Sequence, residues 1–333
     1  MKSLLARFVV VIALTALLLG MVLGAEYRSF LNRPLVLPPE GIDLIIKSGS
    51  SYMSMVRQLN QRRISSTSWH WRLLQKLEPR LIRAGEYHLE PGLLPRTWLD
   101  KLAAGDVIVH HFTIIEGWTF RQLRDALAAE PLLEATFADL SDEELMSVLG
   151  HPEQNPEGRF LPETYQFTRG DSDRELLERS WEAMESALAD AWQTRREALP
   201  LDSPFELLIL ASIIEKETGL ADERARIGGV FIRRLEKGMK LQTDPTVIYG
   251  LGASFDGDLR YRDLATDTPY NTYTRHGLPP GPIALAGKAA LRAAANPAQG
   301  EELYFVAVGD GSHHFSKTNE EHNRAVNRYQ RKK

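Results

Sequence analysis

The stretch Ala211-Ser212-Ile213-Ile214-Glu215-Lys216-Glu217-Thr218-Gly219 places two carboxylates at the end of an apolar run. Ser203-Pro204-Phe205-Glu206 opens a helix ahead of it, with a capping-box pattern and a proline in the first turn. That helix is apolar almost all round through Ile214, so it belongs in a core, and Gly219 is the expected C-terminal stop. At about 100° per residue, Leu208, Ala211 and Ser212 share a face with Glu215. Ala211 and Ser212 are small, so that face leaves room for a groove. Glu217 shares its face with Leu210, Ile213 and Ile214, which are bulky and read as core contacts. Partial burial and the negative end of the helix dipole both favour a protonated Glu215. A carboxylic acid held neutral near pH 7 is what general-acid catalysis uses. The alternative is a structural glutamate paired with Lys216 or Arg224.

Two later segments are dense in amide, hydroxyl and aromatic groups: Leu241–Gly250 (LQTDPTVIYG) and Tyr270–Tyr273 (YNTY). Such groups bind sugars, by hydrogen bonds to hydroxyls and by stacking of C–H faces on rings. The alternative is ordinary loop capping, with Asp244 before Pro245 starting a turn. Gly277–Pro282 (GLPPGP) is rigid enough to wall a groove. His313, His314 and His322 invite a metal reading, but adjacent histidines on a strand point to opposite faces. No metal is expected. The chain has no Ser-x-Gly elbow, Walker loop or HExxH.

Composition narrows the class. Hydrophobic residues are 43% and charged residues 25% of 333, which excludes a disordered chain and a multi-span membrane protein. A net charge of −4 gives no electrostatic grip on nucleic acid, so no nucleic-acid partner is expected. The absence of cysteine excludes disulfides and thiolate chemistry. Phe8–Ala25 is an uncharged run of 18 residues behind Lys2 and Arg7. It is just long enough to cross a bilayer core of roughly 30 Å. The basic flank sets the N-terminus in the cytoplasm and the rest outside; a cleaved signal peptide is the alternative.

Beyond the Pro-rich segment Asn32–Gly41, a weak repeat runs through Gly49, Gly92 and Gly117, each followed ten residues later by a leucine. An apolar or alternating run precedes each glycine and a helical pattern follows it. Strand, glycine turn, helix is the implied unit. Asp171–Ala198 reads as one long amphipathic helix, and Asp222–Lys237 as another, stopped by Gly238. Met239–Pro282 reads as mostly irregular, a length that usually signals function. A short helix over Ala286–Ala295, a hairpin around Gly309–Ser312 and a helix over Asn319–Tyr329 close the chain.

The blocks ASIIEKETG, LQTDPTVIYG, YNTY, GLPPGPI (Gly277–Ile283) and YFVAVGDGSHHFS (Tyr304–Ser316) closely resemble the endolytic murein transglycosylase family (YceG-like). IIEGWTFRQL (Ile114–Leu123) and PEGRFLPETY (Pro156–Tyr165) match it too, so the resemblance covers essentially the whole chain. It implies an α+β protein: a cytoplasmic tip and transmembrane helix over 1–26, a linker over 27–39, a LysM-like α/β subdomain over 40–112 and a mixed α+β catalytic domain over 113–333. It implies a single-pass protein of the bacterial inner membrane with a periplasmic catalytic domain and no cofactor. The family's essential glutamate falls on Glu215. Gln242, Thr243, Asp244, Tyr249, Asn271, Tyr273, Glu163 and Tyr165 are the expected substrate-binding residues. The implied reaction cuts the MurNAc–GlcNAc β-1,4 bond of peptidoglycan without water. It leaves a 1,6-anhydro end and terminates nascent strands beside peptidoglycan synthases. A water-using hydrolase and a non-catalytic peptidoglycan-binding scaffold are the competing expectations.

Overall fold

The computed structural model describes residues 2–65 and 68–330, and the chain divides into two compact units. The first comprises residues 1–110 with 168–170, the second residues 111–167 and 171–333.

The first unit begins with α1 (Lys2–Asn32), whose apolar stretch from Ala6 is long enough to cross a membrane and is buried nowhere along its most apolar window. The Pro-rich segment after it is pinned rather than free. Leu35 N donates to Leu93 O at 2.9 Å and Val36 N to Ile64 O at 3.1 Å. Then follow β1 (Ile42–Ile46), α2 (Tyr52–Gln61), α3 (Ser68–Leu77), β2 (Gly85–Leu89) and α4 (Pro95–Ala104). β1 and β2 pair antiparallel with Leu44 opposite Tyr87. Their inward residues meet Met55, Val56, Leu59, Trp71, Leu74 and Trp98 in one core. Ser51 caps α2, and Pro95 opens α4, where its missing N–H costs nothing.

The strand–glycine–helix repeat is present three times. Gly49, Gly92 and Gly117 all sit at positive φ (73°, 89° and 78°), the conformation that turns each strand into its helix. The third copy, β3 (His110–Thr113) and α5 (Phe120–Ala128), leads into the second unit.

There β3 pairs with β4 (Thr164–Phe167), and α6 (Asp142–Val148) and α7 (Asp173–Gln193) start at full capping boxes. α8 (Pro204–Glu217) is buried without a break from Leu207 to Ile214. α9 (Ala221–Glu236) lies close against it: a Cβ on Gly228 would stand 3.1 Å from Ile214 Cδ1 and 3.0 Å from Ala293 O. Small residues therefore let α8, α9 and α12 (Lys288–Ala295) approach, and the alanines of α12 complete the contact. β5 (Tyr304–Ala307) and β6 (His313–Ser316) form an antiparallel hairpin, and α13 (Asn319–Tyr329) follows.

Three expectations are corrected. α8 ends not at a left-handed Gly219 but at an extended Thr218, whose hydroxyl accepts from Leu220 N at 3.0 Å. Ser203 caps α8, yet Glu206 turns its carboxylate to Asp202 N, so the box is half formed. The stretch 239–282 contains α10 (Asp244–Leu251) and α11 (Tyr261–Ala265). Pro245 sits in the first turn, where proline is tolerated, but the β-branched Thr246, Val247 and Ile248, and Gly250, argue against a helix by propensity. Packing overrides it: a Cβ at Gly250 would lie 2.8 Å from Thr268 Oγ1, so only glycine admits the neighbouring loop.

Candidate active site

Glu215 and Glu217 leave α8 about 200° apart and enter different surroundings. Glu215 is almost fully enclosed, its side chain 4% exposed. Its Oε1 lies 3.4 Å from Arg224 Nη2, and its Oε2 accepts the Gly287 amide at 2.9 Å. It thereby ties the end of α8 to the start of α12. Burial raises its pKa, opposed by the Gly287 amide and by Arg224. The pairing with Arg224 is the structural alternative raised above. Glu163 pairs with Lys288, whose Nζ lies 2.5 Å from its Oε1.

Glu217 instead lines a cleft of about 520 Å3 together with Arg234, Gln242, Thr243, Asp244, Tyr273 and His313. Its Oε1 accepts the Thr243 hydroxyl. Burial pushes its pKa up to about 7, and the nearby Asp244 adds to the rise, against Thr243, His313 and Arg234. This is a carboxylic acid poised to hold a proton at neutral pH.

The loops build the rest of the cleft. Gln242 adopts φ 52°, a strained conformation for a non-glycine residue, and its N–H donates to Thr272 O at 3.2 Å. Thr243 N donates to Thr272 Oγ1 at 3.1 Å. Asp244 accepts the Tyr273 hydroxyl at 2.5 Å. Four of the expected substrate residues, Gln242, Thr243, Asp244 and Tyr273, therefore converge, but on Glu217 rather than on Glu215.

The other four face elsewhere: Glu163 toward Lys288, as above, and three into the fold. Asn271 is wholly buried; its amide donates to the carbonyls of Leu264 (3.0 Å) and Thr266 (2.7 Å) and its oxygen accepts Tyr273 N at 2.8 Å. It shapes the loop from within. Tyr249 packs its ring against Tyr270 at 4.8 Å, tilted by 58°, and donates to Glu157 Oε2 at 3.2 Å. Tyr165 is buried and bonds Leu161 O at 2.8 Å.

The cleft also contains residues that the sequence did not single out for this role. Arg234 is buried, donating to the carbonyls of Leu303 and Leu241 at 2.7 Å each. The His313 ring is fixed by Glu223, with Nδ1 to Oε2 at 2.7 Å and the His313 amide to Oε1 at 2.9 Å. His322 stacks on Tyr304 at 5.2 Å. The available signal was the YFVAVGDGSHHFS block, which supplies Tyr304 and His313.

Comparison with known proteins gives consistent neighbours. The YceG-like family matches residues 44–328. An endolytic murein transglycosylase of Bacillus subtilis (strain 168) is 32% identical over 306 residues, covering 86% of this chain and 84% of the relative. An endolytic murein transglycosylase of Streptococcus pneumoniae (strain D39) is 29% identical over 283 residues; the match covers 74% of this chain and 50% of that longer protein. The crystal structure of a YceG-like protein from Listeria monocytogenes matches with a TM-score of 0.56 at 32% identity, over 86% of this chain and 99% of that one.

Proposed function

This chain belongs to the YceG-like family, and from that membership and the cleft around Glu217 we propose that it is an endolytic murein transglycosylase, a lyase acting on peptidoglycan. The observation that carries the chemistry is Glu217: a buried carboxyl with a pKa of about 7, hydrogen-bonded by Thr243, on a cleft lined with hydroxyl, amide and aromatic groups. Glu217 gives its proton to the glycosidic oxygen as the bond to the muramyl C1 breaks. The C6 hydroxyl of the same sugar then closes on C1, and its proton returns to Glu217. The nucleophile is intramolecular, so the reaction consumes no water and proximity lowers the barrier. Gln242, Thr243, Asp244 and Tyr273 hold the glycan. Glu215, with both oxygens engaged, positions α8 against α12 and is not the acid in this reading.

α1 anchors the protein in the inner membrane, with the catalytic unit outside; its length and apolar surface support this. The β1–α2–α3–β2 unit supports a LysM-like module within 40–112, followed by a catalytic domain from about 113. Strand termination beside peptidoglycan synthases is part of the same proposal.

A water-using hydrolase is the second reading, favoured by the Asp244 carboxylate in the same cleft. Mass spectrometry of sacculi digested in heavy-oxygen water separates the two. The expected product ends in an unlabelled 1,6-anhydro sugar, about 18 Da lighter than a hydrolysed end because one water is not added. A solvent-labelled reducing end overturns the transglycosylase reading.

A further inference from the structure

The cleft holds a second carboxylate that the acid step leaves unused. Thr243 and Asp244 are consecutive: the Thr243 hydroxyl reaches Glu217, and the Asp244 charge acts on the Glu217 carboxyl through space. Asp244 is exposed on the cleft and is oriented by the Tyr273 hydroxyl on its Oδ1 at 2.5 Å. Tyr273 is itself fixed, its amide on Asn271 Oδ1 at 2.8 Å and its carbonyl on Lys240 Nζ at 3.1 Å. Among the described residues no cation pairs with Asp244, so this carboxylate is held in place with acceptor capacity to spare.

The stereochemistry of the reaction asks for such a group. The leaving oxygen departs from the β face of the muramyl ring, and the 1,6-anhydro bridge closes on that same face. Retention with one protein carboxylate on the β face needs something to hold C1 from the other side in between. The 2-acetamido group of the substrate is there, trans to the leaving oxygen. Its carbonyl oxygen can bond C1, and its N–H then carries positive charge.

Resting on the transglycosylase reading above, we infer that Asp244, oriented by Tyr273, is a catalytic residue that accepts the N–H of the substrate's 2-acetamido group and stabilises a cyclic oxazolinium at C1. The steps balance. Glu217 transfers its proton to O4 of the leaving sugar, C1–O4 breaks and the acetamido oxygen bonds C1. O6 then attacks C1, the acetamido oxygen leaves and the O6 proton passes to Glu217. Asp244 accepts a hydrogen bond throughout and takes no proton. The substrate class is therefore narrower than a β-1,4 glycan: the sugar donating C1 must carry an N-acyl group at C2. Tyr273 is a positioning residue.

The test uses the full-length protein in detergent on purified sacculi. Asp244→Asn should lower kcat by roughly 10²-fold, the scale of one lost electrostatic contact, with KM changed less than about threefold. Tyr273→Phe, which leaves the carboxylate in place but unoriented, should lose roughly tenfold in kcat. The third arm needs no variant. Chemically de-N-acetylated sacculi should resist the wild-type enzyme, and re-N-acetylation should restore cleavage. Anhydro ends from an Asp244→Asn enzyme within about threefold of wild-type kcat overturn this inference alone, as does native-rate cleavage of de-N-acetylated strands. Reducing ends from the wild type overturn the transglycosylase reading and this one with it.

Discussion

Glu215 and Glu217 lie two residues apart on α8, yet the first is closed off by Arg224 and the Gly287 amide while the second opens on the cleft beneath Thr243. A step of two residues turns a helix by about 200°, so neighbouring acids can sit on opposite sides of one element. Here one side meets α9 and the start of α12, and the other meets the loop before α10.

Glu217→Gln should therefore lower turnover by at least about 10²-fold while the protein stays folded, since the amide keeps the volume and can accept from Thr243 but cannot donate an acid proton. Glu215→Gln should stay within about fivefold of wild-type activity. It should cost on the order of 1–3 kcal/mol of stability, because Arg224 loses a buried counter-charge. Sacculus digestion and thermal melts of both variants decide the matter. A dead Glu215→Gln beside an active Glu217→Gln would return the acid to Glu215.

Asn271 and Tyr273 separate in the same way. The YNTY motif led us to expect both to touch sugar, but the Asn271 amide is committed to backbone groups of its own loop. Asn271→Ala strands buried carbonyls, so it should lower stability by about 2–3 kcal/mol. Measured well below its lowered Tm, kcat should remain within a few-fold of wild type. A large kcat loss with an unchanged melt would place Asn271 on the substrate.

The N-terminal segment makes a physical prediction with a sharp cut point. Tyr27, Phe30 and Leu31 on the last turns of α1 pack against the core of the small unit, whereas Phe8 to Leu23 is exposed apolar surface. Removing residues 1–25 should release the protein from membranes into the soluble fraction with its melting unchanged. Removing residues 1–32 should also lower the Tm of the small unit. A truncation at 25 that still sediments with membranes would show that α1 is not the anchor.

Much of the scaffold was legible because its signals are local. Each strand–glycine–helix unit announces itself by a positive-φ glycine between two periodicities, and α7, α9 and α13 follow their apolar spacing. α10 was not legible, since its glycine and β-branched residues are weak helix formers and hold a helix through tertiary contact. That Glu217 rather than Glu215 opens on the cleft was hidden for a related reason. The bulky face of Leu210, Ile213 and Ile214 is core, and continuing that face to Glu217 looked safe. A helix face is continuous, but its surroundings are not, and at the last turn the core gives way to the cleft. Arg234, His313 and His322 reach that cleft from α9, β6 and α13, a convergence that no local spacing encodes.

Two buried carboxyls should leave the same mark on stability and opposite marks on activity. Glu157 accepts the Phe120 amide at 3.0 Å and the Tyr249 hydroxyl, and burial pushes its pKa up to about 7, as it does for Glu217. A carboxyl whose pKa is higher folded than unfolded favours the folded state only while it stays protonated. Below about pH 4 both states carry the proton and nothing is lost. Between there and pH 7 the unfolded chain ionises first, so stability falls; above pH 7 the loss is complete. Glutamine does not titrate, so each Glu→Gln variant should gain on wild type as pH rises. The gain should be about 2 kcal/mol between pH 5 and pH 8 per site, or roughly 2–4 °C of Tm per kcal/mol for a domain of this size. Glu157→Gln can still accept from Phe120, so it should keep activity while gaining stability. Glu217→Gln should gain stability and lose activity, the mark of a group strained for chemistry. Melts at several pH values in one ionic strength check this. A Glu217→Gln variant less stable than wild type at pH 8 would mean that the carboxylate is compensated in the fold, and the acid would then have to be sought elsewhere.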